Sequence, residues 1–65
     1  MPELDLGPPD IREQIAEVAR EIVLRERVYP KWVEAGRLTQ AKADRQIAVM
    51  NAVLATLQAV QGKRT

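Results

Sequence analysis

Between Asp10 and Val28 apolar residues recur at Ile11, Ile15, Val18 and Ile22, with gaps of four, three and four. That spacing places them in one stripe on an α-helix. Ala16, Ala19 and Val23 flank the stripe on one side, and Leu24 and Val28 on the other. Asp10 is a natural N-cap with Glu13 three residues on, and Pro9 blocks extension backwards. Glu21 and Arg25 stand at i,i+4 in the stabilising orientation. A second run, Ala43, Ile47, Met50, Leu54 and Leu57, follows gaps of four, three, four and three, a short coiled-coil-like seam. Another apolar row, Val49, Val53, Thr56 and Val60, accompanies it, with Ala48, Ala52, Ala55 and Ala59 between. The pattern predicts a helix from Ile11 to about Val28, a second from about Gln40 to Val60, and no strands.

The residues between these runs predict a corner. Pro30 cannot donate an N–H to the Glu26 carbonyl and biases Tyr29 away from helical backbone. A kink or break is expected there, then a helical turn through about Ala35. Gly36 suits the left-handed position after a helix end, with Leu38 supplying the apolar contact of a Schellman stop. Thr39 is a good N-cap for the second helix. The fold class is therefore all-α: an antiparallel helical hairpin with a Pro-kinked first helix, spanning residues 10–61. Residues 1–9, MPELDLGPP, hold three of the four prolines and read as a disordered arm that Leu4 and Leu6 would dock. Residues 62–65 read as a disordered basic tail after Gly62.

Size sharpens the picture. Sixty-five residues make one domain, and a domain this small buries only about 60% of its unfolded surface. Small proteins compensate with disulfides, metals or oligomerisation. The chain has no Cys and no His, so oligomerisation remains. The second helix is apolar almost all round from Ile47 to Leu57, which demands burial on several sides. The expectation is a homodimer, two hairpins forming a four-helix bundle around Ile15, Val18, Ile22, Ile47, Met50, Leu54 and Leu57. Docking on another protein would meet the same demand.

Candidate chemistry is thin. Without His, Cys or Ser the usual nucleophile–base pairs cannot be built, so no enzyme, catalytic residue or cofactor is expected. Glu13, Glu17 and Glu21 form an i,i+4 row, but Arg12, Arg20 and Arg25 compete for it, and no metal site is expected. The cations Arg25, Arg27, Lys31, Arg37, Lys42 and Arg45 gather around the corner, interleaved with Glu26, Glu34 and Asp44. Lys42 stands in the first turn of the second helix, where the macrodipole disfavours a cation. With the chain's two aromatics it marks a candidate partner-binding surface of Tyr29, Trp32, Arg37, Lys42 and Arg45, suited to phosphate or an acidic partner. The structural alternative is that Tyr29 and Trp32 plug the corner. LTQ often opens a helix-turn-helix unit, but residues 43–60 contain no Gly or Pro for its turn. A net charge of +1 gives no general argument for nucleic acid or membrane. No apolar run approaches the ~20 residues that cross a bilayer and no signal-peptide pattern opens the chain, so a cytoplasmic location is expected.

The run RERVYPKWVEAGRLTQAKADRQIAVMNAVLATL, residues 25–57, resembles a group of short helical proteins encoded in phage and prophage regions of proteobacteria. That resemblance implies a setting and carries no activity. EAGRLTQAKADRQIAVM is also similar to SHOCT-type short domains, which implies an oligomerisation or interaction module. The chain departs from that pattern at Ala43, where such domains tend to carry an aromatic. The expected function is a small non-enzymatic helical interaction or assembly module. The alternative is a nucleic-acid-binding accessory protein using the basic corner.

Overall fold

A computed structural model of the chain describes residues 7–64, so Leu4 and Leu6 of the expected arm lie outside the described residues. Two helices pack antiparallel: α1, Ile11–Glu34, and α2, Gln40–Arg64. No strand occurs among the described residues.

Asp10 caps α1 from extended backbone, its carboxylate accepting from the Glu13 N–H at 2.9 Å. Only this half of the expected capping box forms, since the Glu13 carboxylate makes no return bond. The Gln14 side chain instead reaches the Pro9 carbonyl at 3.2 Å. The stop after α1 is a full Schellman motif. Gly36, at φ +75°, donates to the Val33 carbonyl at 3.1 Å, and Arg37 donates to the Trp32 carbonyl at 2.9 Å. Leu38 follows, half-buried. Thr39 then caps α2, its hydroxyl accepting from the Lys42 N–H at 3.1 Å.

Two boundaries differ from the expectation. Helix α1 runs unbroken through Pro30 to Glu34. Proline inside a helix costs about 3 kcal/mol through the missing donor and the ring clash. Here Glu26 and Pro30 are both exposed, on the solvent side of the seam, where a missing helix donor costs least. Tyr29 just before the proline and Val33 one turn after it continue the Ile22 stripe, Tyr29 buried and Val33 half-buried, and complete burial of such side chains is worth about 1.5–3 kcal/mol. Helix α2 likewise passes Val60 and Gly62 and reaches Arg64. A helical Gly costs only about 1 kcal/mol relative to Ala, too little to force a stop where no left-handed turn follows.

The core is a single seam. Ile22 and Tyr29 of α1 and Ala43 of α2 are the buried apolar residues, and no described side chain is fully buried. Of the residues expected in a bundle core, Ile22 is buried, while Ile15, Val18, Ile47, Met50, Leu54 and Leu57 are half-buried along the same line. Ala43, 3% exposed, is the most enclosed of the three. It shares a groove with Tyr29 and Val33 of α1.

Candidate interaction surface

Of the five residues singled out around the corner, one is buried and four are exposed. Tyr29 turns into the seam, 7% exposed, and its hydroxyl donates to Gln46 Oε1 at 2.7 Å. Trp32 lies against it with ring centroids 5.7 Å apart, yet stays 43% exposed. Tyr29 therefore does plug the corner, while Trp32 only shields it. Arg37 sits in the connecting turn, and its contribution to the stop is its backbone N–H. Lys42 and Arg45 are exposed on α2, and neither they nor Arg37 forms an ion pair among the described residues.

The interleaved charges of the corner are sorted by face. At about 100° per residue, Leu24, Val28 and Trp32 fall on one flank of the α1 stripe. Lys42, Val49, Val53 and Val60 fall on one flank of the α2 stripe. In an antiparallel pair of right-handed helices these two flanks share one broad face. The contacts agree: Val18 lines a groove with Val53 and Leu57, and the Tyr29 hydroxyl meets Gln46 on that side. The opposite face holds a groove lined by Glu26, Pro30, Gln40, Asp44 and Asn51 among others, with Gln40 bonded to Asp44 at 2.8 Å. The corner acids Glu26 and Asp44 thus turn away from Lys42 and Arg45.

The first face is strongly apolar. Leu24 is 52% exposed, Val49 45%, Val53 40% and Val60 41%, with Trp32 as above. Val23, on the other face, is the remaining large apolar residue left exposed. Arg45 borders the patch, lining a groove with Val49, Ala52, Val53, Thr56 and Leu57. The Thr56 hydroxyl donates back to the Ala52 carbonyl of its own helix at 3.0 Å, so its donor is already satisfied. The sequence row Val49, Val53, Thr56 and Val60 carried this signal. Its coincidence with Leu24, Val28 and Trp32 required the packing of the two helices.

Elsewhere the ionisable groups act locally. The Glu13 N–H, with help from Arg12, holds the Asp10 carboxyl below its ordinary value. Glu21, bonded to Arg25 at 2.9 Å, and the nearby Tyr29 push the Arg25 guanidinium up. Glu17 pairs with Arg20. Among the described residues no group of three or more acids assembles around a common point that would hold a metal ion, and no helix is long and apolar enough to cross a membrane. No family model matches the chain, and no curated protein or solved structure is significantly similar to it.

Proposed function

We propose that this chain is a small non-enzymatic interaction and assembly module that works by helix packing, as a homodimer. One observation carries the reading. Five large apolar side chains on one face are at least 40% exposed in a hairpin where no described side chain is fully buried. Exposed patches of this kind on small proteins mark interaction surfaces, and a core this thin gains stability from association. A bend at Pro30, where Glu26 lacks its donor, belongs to this reading, since it would set the angle at which the last turns of α1 present Trp32. The likeness of residues 25–57 to phage-encoded proteins supports a phage or prophage setting in a bacterial cytoplasm.

Sedimentation equilibrium at micromolar concentration tests the proposal. A dimer mass is expected, and Leu54→Glu should dissociate or unfold it. A folded monomer at that concentration would refute the homodimer.

The unpaired Arg37, Lys42 and Arg45 favour a second reading, contact with nucleic acid through the corner. It requires salt-sensitive binding that weakens on Lys42→Glu or Arg45→Glu. Absence of any DNA or RNA retention at low salt refutes it.

A further inference from the structure

We infer that a second copy docks on the face carrying Leu24, Val28, Trp32, Val49, Val53 and Val60, and that the two hairpins stack with their corners at opposite ends. This rests on the assembly reading above and specifies its interface.

Area supports a second copy. The exposed parts of those six side chains amount to about 450 Å² of apolar surface, taking ordinary side-chain areas. A standard interface buries roughly 800 Å² per partner, about 65% of it apolar in homodimers, which is roughly 500 Å². The patch is also shared between α1 and α2. A single added helix, about 10 Å across, covers a strip along their groove, whereas a second two-helix layer spans both. The result is a four-helix bundle in which each chain covers its partner's exposed row.

Charge decides the orientation. Residues 25–45 hold six cations against three acids, and Lys42 and Arg45 stand on the docking face without ion pairs. Stacking corner on corner would bring both sets of cations together. Stacking with corners apart places them over the end that carries Glu13, whose carboxylate forms no ion pair among the described residues, and where the charges of Glu17 and Glu21 are balanced by Arg20 and Arg25. The two cation-rich corners then separate and each meets an end of balanced charge, and avoiding like-charge contact is a usual means by which interfaces fix orientation.

The two arrangements differ in what meets across the two-fold axis. The Tyr29–Gln46 bond sets the register of the hairpin, so Leu24 and Val49 both lie near mid-length. With corners apart, α2 lies antiparallel over α2 of the second copy, and Val49 faces its own counterpart. With corners together, α2 lies over α1, and Val49 faces Leu24.

The chain has no cysteine, so single thiols report directly. Val49→Cys, air-oxidised under native conditions, should give a covalent dimer as the main product. Asn51→Cys, on the opposite face, should give little. A 24–49 disulfide from mixed Leu24→Cys and Val49→Cys chains, without the Val49 homodisulfide, overturns the orientation. Preferential cross-linking of Asn51→Cys overturns the choice of face. As a second arm, Val53→Glu should raise the dimer dissociation constant by at least about thirtyfold, because it buries an unpaired charge in the interface. A dimer mass unchanged by Val53→Glu overturns the face while leaving the assembly reading intact. A wild-type monomer mass sinks the assembly reading itself.

Discussion

Tyr29→Phe isolates the one side-chain hydrogen bond that joins the two helices among the described residues, Tyr29 hydroxyl to Gln46 Oε1 at 2.7 Å. The ring is 7% exposed and phenylalanine keeps its volume, so packing is nearly unchanged. What is lost is a neutral hydrogen bond, worth about 0.5–1.5 kcal/mol. Gln46 is only half-buried, so water can replace the lost partner and the cost falls toward the lower half of that range. For a chain of this size a loss of about 1 kcal/mol lowers Tm by roughly 4–8 °C. Gln46→Leu alone should cost a similar amount, since it strands the buried phenol. The double variant should cost less than the two singles together, leaving a coupling of about 0.5–1 kcal/mol. Thermal unfolding followed by circular dichroism measures all four corners of the cycle. Protein concentration must be held fixed, because association would shift every Tm. Strict additivity, or a Tyr29→Phe protein as stable as the parent, would refute the bond's role in holding the corner.

Other consequences are simpler. Gly36→Ala should destabilise by about 1–2 kcal/mol in denaturant titration, from the strain of a Cβ at φ +75° and not from a clash, since nothing lies within 4 Å of it. Gly36→Asn should recover part of that loss. Thr39→Ala should cost about 1 kcal/mol by removing the acceptor of the Lys42 N–H. Asp10 has a folded pKa below its ordinary value of 3.8, so its stabilisation is present above that value and disappears as pH falls through the folded pKa. Asp10→Asn keeps a capping oxygen, and its unfolding curve should lose this acid-range dependence.

Much of the hairpin was readable residue by residue because its signals are local. Asp10, Gly36 and Thr39 announce their roles through backbone chemistry that involves only the next few positions. The Ile11 to Ile22 and Ala43 to Leu57 stripes report burial through spacing within one helix. Of the kink or break expected at Pro30, the break does not occur, since α1 continues to Glu34. The continuation places Val33 in a groove with Tyr29 and Ala43 of α2, and that packing is a tertiary quantity. Gly62 was misread for a related reason. Glycine stops a helix when a left-handed turn follows, as at Gly36, and merely weakens it otherwise.

The exposed apolar face was hidden for a different reason. A helical stripe states which residues share a side of one helix, but not which side of its neighbour that flank joins. Val49 and Val60 on α2 and Leu24 and Trp32 on α1 are separate features until the antiparallel register merges them. The same register separates Lys42 and Arg45 from Glu26 and Asp44, which alternate with them along the chain. A mixed, self-neutralising corner in sequence thereby becomes a polar face and a cation-rimmed apolar face in space. Such a division has a direct physical consequence. The apolar face would gain by being covered, and the rim charges of Lys42 and Arg45 would restrict how a cover could be oriented, so the features that weaken the isolated hairpin are the ones on which the proposed assembly rests.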